Sequence, residues 1–476
     1  MKKLFVLMMI TIVAVISFGI DTNPAYAYAY HSNFISTIHY QNIGTVAAAL
    51  TLDFYDGSGN KVASHTVSTL EPNAATSLYA GSISGLPSGF EGSAVISSSQ
   101  PLASTVAQVG SGAVKNQALS NGFSSSETSS SVLIPTVLKN MFFFNSVFSV
   151  QNVDSVDADL EFTFKTTTGL EYLFTVEDLP PFSSYLVDMG TTAAIPTSTF
   201  NGSVVIDAFK ADTSDPGAIV ATSMELEIAG NNVYSFNGVS TSGTANAIYM
   251  PSAVCKFGPN KDSTSAYAVQ NTTSGPIDVM VTYSNGHIDG PYEIPGFSKR
   301  SFDGCQAGNP VGFLGSAIVT SVGGDIHAVG KVYGGGLYPA HLGFTGGSDI
   351  VALPFVRWTE AHWYDGTGLR SYIAVQNIGT SNIPAGEVTA YYYDKDGVLL
   401  GSHVLGAIAV GKKQNTHPWY IGPAGYEFGT YPNGSSGGGA IIVGPTGSQL
   451  AVIARVQKYI GGGNSVGEDY EGIPIE

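Results

Sequence analysis

Apolar and polar residues alternate with a period of two through much of the chain, most clearly between Ser371 and Gly397. There Ile373 and Val375 alternate with Ala374 and Gln376, and Asn377-Ile378-Gly379-Thr380 breaks the run. Val388, Ala390 and Tyr392 resume it, and Asp394-Lys395-Asp396-Gly397 supplies a hairpin turn. The stretch predicts two β-strands with their turns. The same pattern occurs three times upstream. Gln41-Asn42 is followed by Leu50, Leu52 and Phe54, Gln151-Asn152 by Leu160, Phe162 and Phe164, and Gln270-Asn271 by Val279, Val281 and Tyr283. From the Gln to the last core residue the distance is 13 positions in these three copies and 16 in the fourth, whose connecting loop is longer. Four copies with nearly one spacing are an internal repeat.

Within the first copy the alternation predicts strands at 34–40, 50–55, 62–67, 75–79, 94–97 and 101–109, the spacing of a β-sandwich. No segment past the N-terminal run has a 3.6-residue amphipathic period, so the fold class is all-β. A Phe-x-Gly-Ser turn recurs at Phe90-Glu91-Gly92-Ser93, Phe200-Asn201-Gly202-Ser203 and Phe313-Leu314-Gly315-Ser316. In the fourth copy the corresponding turn is Gly-rich and its Phe is missing. The aromatic is expected to plug the end of the sandwich, and the Gly to permit a backbone that a β-carbon would forbid. Copies two to four begin with proline-bearing strands, Leu133-Ile134-Pro135, Tyr249-Met250-Pro251 and Leu353-Pro354, which a missing N–H confines to sheet edges. These divisions predict a signal peptide at 1–27 and domains at 28–127, 128–243, 244–347 and 348–476. The Ser/Thr/Gly linkers between them are only about five to eight residues, so neighbouring domains should touch, in an extended or gently bent rod.

Composition narrows the setting. Lys2-Lys3, an apolar run from Leu4 to Ile20, and Ala25-Tyr26-Ala27 read as a cleaved signal peptide, with a second candidate site at Ala27-Tyr28-Ala29. The competing reading is an uncleaved anchor, since the run approaches the ~17–25 residues that span a bilayer. No later segment is apolar enough to cross a membrane as a helix. The location expected is extracellular or at the cell surface. Removing 1–27 leaves 17 basic and 35 acidic residues, a net of −18, which repels nucleic acid and anionic lipid. With 12% charged and 43% hydrophobic residues, the chain is folded and presents a neutral polar surface.

The passage IAVQNIGT…VTAYYYDKDG, with its following turn and hairpin, resembles the CARDB-type and related immunoglobulin-like repeats of bacterial surface proteins. The resemblance runs through all four copies. Copy two departs from it, with Val153-Asp154 at the Ile-Gly turn and Thr166 in place of the hairpin Asp. It implies a tandem array of immunoglobulin-like sandwiches of the kind associated with adhesion or surface architecture. In such a sandwich the strand that Cys255 precedes and the strand that Cys305 follows are antiparallel neighbours. Export and the presence of just two cysteines then predict a disulfide, worth about 4 kcal/mol in the chain-entropy model.

Residues that could carry chemistry are few. Gly463-Asn464-Ser465-Val466-Gly467 matches a nucleophile elbow, but Glu468-Asp469-Tyr470 and a proline follow it where that elbow needs a helix. None of the nine His shows a close metal-ligand spacing, and His39 and His403 fall at outward-facing strand positions, where a solvated imidazole is expected. Asp53/Asp56, Asp212/Asp215 and Asp394/Asp396 read as turn residues in preference to calcium ligands. No cofactor, metal or catalytic set is expected. All three Trp lie in the last copy, and Trp358, Trp363, Trp419 and Tyr420 are candidates for an aromatic glycan platform. The alternative is that they pack at the sandwich ends. The sequence thus reads as a non-enzymatic exported protein with a structural or adhesive role, its partners other surface proteins or glycans. The rival is a glycan-binding fourth domain on a three-domain stalk. At the ends, a missing first strand in copy one and a proline-bearing tail, Gly472 to Glu476, would permit head-to-tail strand addition between chains; the simpler reading is that Tyr28 to His31 completes the first domain and the tail is frayed.

Overall fold

The computed structural model of the chain describes residues 9–13 (backbone path only), 34–110, 117–228, 230, 232–258, 260–431 and 436–475. Its strands form eight antiparallel sheets, two to each copy of the repeat. In the first unit a five-stranded sheet runs in the order Lys61–Leu70, Ala48–Asp56, Gly92–Ser98, Met9–Val13, Phe123–Ser124. It faces a four-stranded sheet in the order Ala75–Tyr79, Phe34–Asn42, Leu102–Gly110, Gln117–Asn121. The predicted alternation is present: in Ala48–Asp56 the residues Ala48, Leu50, Leu52 and Phe54 are buried while their neighbours are half-exposed or exposed. The other three units repeat the two layers, each around its own apolar core.

The Gln-Asn pair explains why the repeat keeps two polar residues inside. All eight side chains are buried. Each Asn Nδ2 donates to two carbonyls that close neighbouring turns: Val46 and Leu70 from Asn42, Val156 and Leu179 from Asn152, Gly275 and Ile294 from Asn271, Ser381 and Ile408 from Asn377. Each Gln Nε2 donates to the carbonyl of a hairpin residue in the left-handed region, namely Asn73, Phe182, Phe297 and Gly411. Burial of these amides is tolerable because they replace water as partners for turn backbone.

Three of these four turns also join the units. Ser93 donates to the Phe182 carbonyl, Ser203 to that of Phe297 (2.8 Å) and Ser316 to that of Gly411 (2.7 Å). The Ser of each Phe-x-Gly-Ser turn is therefore a latch onto the carbonyl that the next unit's Gln holds. A Cβ at Gly202 would come 1.9 Å from the Lys165 carbonyl, so close strand approach, and not a positive φ, requires this glycine. The aromatic plug is also present, packed edge-on at Phe54–Phe90, Phe164–Phe200 and Tyr283–Phe313. The fourth unit does not lack it: Phe428, brought in from a long excursion, packs edge-on against Tyr392 at 5.7 Å.

The units do not form a rod. One sheet of each ends on an outer strand: Gln117–Asn121, Val233–Asn237, Ala340–Leu342 and Asn464–Glu471. The first and third of these strands each touch the second and the fourth, so four sheet edges surround one axis. The fourth unit also docks on the first, where Gly438 N donates to the Ala75 carbonyl (2.8 Å). The ring closes. Short linkers were legible, but the direction in which they turn the chain depends on side-chain pairs far apart in sequence. Among these are Asn237 with the Asn121 carbonyl, Asn121 with the Glu471 carbonyl, and Glu468 with the Ser235 and Ala340 amides.

Both chain ends also depart from expectation. The tail is not spare: Ile473–Pro474 pairs with Ile350–Leu353 inside the fourth unit, as Phe123–Ser124 and Val239–Ser240 do in theirs. In the first unit the place of the proline-bearing strand is taken by Met9–Val13, from the N-terminal apolar run. Tyr28 to His31 lie outside the described residues. Of the three proline-bearing strands predicted at sheet edges, Ala247–Cys255 ends its sheet, whereas Ser131–Lys139 and Ile350–Leu353 each carry a two-residue outer neighbour; Pro135 and Pro251 fall at register shifts, where the missing N–H breaks no pairing.

Candidate functional site

The joint between the third and fourth units does not close fully and leaves a cavity of about 600 Å³. One wall comes from the third unit, with Ser252, Val254, Phe257 and Asp262. The other is aromatic and belongs to the fourth unit, with Trp363, Tyr364, Tyr372 and Tyr459. Trp363 and Tyr364 stand on the turn after Thr359, and Tyr459 on the long strand Leu450–Gly461 that reaches past the sandwich. Tyr459 packs 5.9 Å from Trp363 and edge-on to Tyr364 at 5.5 Å. Arg370 lies between Trp358 and Trp363, 4.6 and 4.7 Å from the two rings, and is fixed by Glu360 at 2.8 Å. Tyr364 is 77% exposed, so the cavity opens onto an accessible ring. Asn260 and Asn464 bond across the cavity edge at 3.0 Å, one from each unit.

The cavity floor is cationic. Arg455 binds Asp469 through two hydrogen bonds, at 2.7 and 2.8 Å. The Nζ of Lys413, half-buried beside it, has no hydrogen-bonding or ion-pair partner among the described residues. Burial, with the nearby Arg455 charge, lowers its pKa to about 7.

Of the four aromatic candidates, the cavity takes one. Trp363 lines it. Trp358 is buried and stacks on His417 at 4.5 Å. Trp419 and Tyr420 are about half-exposed on a 3₁₀ segment, Pro418–Gly425, away from the cavity; Tyr420 stacks between His403 and His417. Tyr364, Tyr459 and Lys413 were missed. Tyr364 adjoins Trp363 in sequence, but nothing local marks Tyr459 or Lys413, which the folding of the fourth unit brings to the same cavity.

Other assignments resolve individually. His39 is not solvated: it points out of its own sheet but into the fourth unit, stacking on Phe355 at 3.8 Å and bonding Ser77 at 2.7 Å. His403 is partly buried and bonds Thr416 at 2.8 Å. The Gly463–Gly467 match lies on the hairpin between Leu450–Gly461 and Asn464–Glu471, which has no elbow geometry. Asp56 and Asp394 each accept two amides of their own turns. Cys255 and Cys305 are joined, with Cα atoms 5.0 Å apart. A smaller cavity, of about 410 Å³, lies at the joint of the first and fourth units beside His39 and Arg357. The Arg357 guanidinium there is already bonded to Val356, Gly438 and Ser77.

No family model and no curated protein matches the chain. Among solved structures, a tetra-tandem repeat in the extending region of a large adhesion protein is 14% identical, covering 95% of this chain and 97% of that one, with a TM-score of 0.10. Streptomyces avermitilis α-L-rhamnosidase complexed with L-rhamnose is 8% identical over 86% of this chain and 54% of that one, with a TM-score of 0.12. Similarity this low bears neither on the arrangement of the units nor on what the chain does.

Proposed function

We propose that the chain is an exported, non-enzymatic protein of four immunoglobulin-like domains, at 28–127, 128–243, 244–347 and 348–476, that acts adhesively at the cell exterior by binding glycans. The observation that carries this is the cavity at the third joint, with Trp363, Tyr364 and Tyr459 on one wall and amides at its edge. Aromatic faces take the apolar side of a pyranose, and amides take its hydroxyls. A closed ring suits a load-bearing role, since no joint opens without straining the others. The test is a glycan array read with the protein and its Trp363→Ala variant. Binding lost in the variant supports the reading; binding retained, or none to any glycan, counts against it.

Export has a consequence that can be measured. Cleavage after Ala27 or Ala29 removes Met9–Val13 and leaves one side of Gly92–Ser98 without its neighbour. In the exported chain, alternate amides of Gly92–Ser98 should exchange hydrogen about as fast as an open edge, whereas those of the equivalent Phe200–Lys210, covered by Ser131–Lys139, should be protected. Equal protection of the two strands would rule out an uncovered edge.

A further inference from the structure

The joints of the ring can be compared residue by residue, because the Gln-Asn strands fix a common register. Lys299 pairs with Gln270 and Lys413 with Gln376. Four residues before each Gln, Ala266 pairs with Lys331 and Tyr372 with Arg455. The two cations of the third unit and the two of the fourth thus hold equivalent positions, each facing the preceding unit.

The joints differ in what meets those cations. At the second joint Thr136, the residue after Pro135, accepts from Lys299 Nζ at 2.8 Å. Glu225 accepts from Lys331 Nζ at 2.5 Å and from the Thr136 hydroxyl at 2.9 Å. That joint is closed, and Lys299 is only 3% exposed. At the third joint Ser252, the residue after Pro251, stands where Thr136 does and lines the cavity. The position of Glu225, opposite Ser146 five residues before the Gln, belongs here to Val332, opposite Ser265. At these two positions the third unit therefore supplies a hydroxyl and no carboxylate. Asp469 satisfies Arg455 from within the fourth unit, and Lys413 is left with cavity in front of it.

We propose that this cavity binds a carboxylate-bearing saccharide, its carboxylate seated beside Lys413 and Ser252, the counterparts of Lys299 and Thr136, its ring against Trp363, Tyr364 and Tyr459. The inference rests on the cavity being the glycan site. An ammonium without a partner favours a ligand that brings a charge-assisted acceptor. The charged groups around Lys413 are Arg455, across the intervening strand Arg370–Asn377, Asp469 behind it, and Asp262 on the third-unit wall, with the Tyr372 and Tyr459 phenols beside them. Asp262 is exposed and can accept from sugar hydroxyls. Because the free Lys413 titrates near pH 7, affinity for the acid should be flat below about 7 and fall as the pH rises above it.

The exported chain would be titrated calorimetrically with trigalacturonate and its neutral trigalactose counterpart, and with sialyllactose and lactose, at pH 6 and pH 9. One of the acidic sugars should bind at least tenfold tighter than its neutral partner at pH 6, and which one does identifies the source of the carboxylate. Lys413→Met should erase that preference with the melting temperature kept, Trp363→Ala should weaken both forms while keeping the preference, and pH 9 should reduce it. Neutral sugars binding as tightly as acidic ones, or an acid preference that survives Lys413→Met, overturns the acid inference and leaves the glycan cavity standing. No binding by any of the four overturns both. An acidic peptide binding as tightly as the acidic sugar overturns the saccharide assignment.

Discussion

Replacing Asp469 with alanine should be the most damaging single change at the centre of the ring, costing about 3–5 kcal/mol. Asp469 is 1% exposed and holds Arg455 Nε and Nη2 on its two oxygens. His341 Nδ1 approaches the same carboxylate at 3.4 Å. Removing the carboxylate leaves a guanidinium facing the third joint with no acceptor, which costs far more than the pair itself contributes. Burial opposes ionisation of Asp469, but the Arg455 charge and its hydrogen bonds outweigh it and hold the pKa at about 2. A depressed carboxyl pKa stabilises the fold above the unfolded value near 4, and that contribution is lost as the pH falls toward 2. Calorimetric melting between pH 2 and 7 should show the wild type losing stability across that window, with the variant already low and flatter. His362–Asp365 provides the control. It is an exposed pair at 2.9 Å, and Asp365→Ala should leave the melting temperature within error. A ring that tolerates Asp469→Ala equally well would show that the axis is not where the units are held.

The opposite sign applies two residues along. Burial raises the pKa of Glu471, whose carboxylate accepts from Leu342 N, to about 7. A raised carboxyl pKa contributes stability below its unfolded value near 4.5, and this is lost as the pH climbs to about 7. Glu471→Gln keeps an acceptor for Leu342 and removes this titration, so its stability should decline less over that interval than the wild type's, with the buried Glu468, also raised, still contributing.

The sequence disclosed the strands because alternation depends on nearest neighbours in the chain. Ala48, Leu50, Leu52 and Phe54 face one core whatever the units do. The disulfide was legible for a similar reason, since two adjacent strands bring Cys255 and Cys305 together. The ring was not legible. Its contacts join residues such as Gln117 to the Val456 carbonyl and Ser235 to Glu468, over separations of 339 and 233 positions, and such polar residues look like surface until the partner is known. His39 illustrates the error. An outward-facing position on an isolated sandwich is a buried one when another sandwich covers it. The cavity was half legible. Trp363 drew attention as an aromatic, whereas Lys413 matters only because of the third-unit wall that it faces across the cavity. Phe428 was hidden by the long fourth-copy excursion that carries it back to Tyr392.

The repeat motif itself supports the second large prediction: its two amides, alike in burial, should differ in cost. Asn152→Ala should destabilise the chain by about 3 kcal/mol or more, and Gln151→Ala by about 1 kcal/mol. Asn152 Nδ2 donates to the Val156 and Leu179 carbonyls at 2.8 and 2.9 Å, and its Oδ1 accepts from Asp154 N at 2.9 Å. Alanine would strand three backbone groups at the base of two turns, each worth about 1–3 kcal/mol when left unmet in the interior. Gln151 makes one such bond, to the Phe182 carbonyl at 3.2 Å, and its Oε1 has no protein partner. That carbonyl also keeps the Ser93 hydroxyl from the preceding unit, so the loss of Gln151 is partly covered. The double variant Ser93→Ala/Gln151→Ala should therefore cost more than the sum of its parts, because only then is the Phe182 carbonyl left without either donor. Urea unfolding of the two singles and the double decides it. Strict additivity would show that the latch between units and the clasp within them do not share that carbonyl in solution.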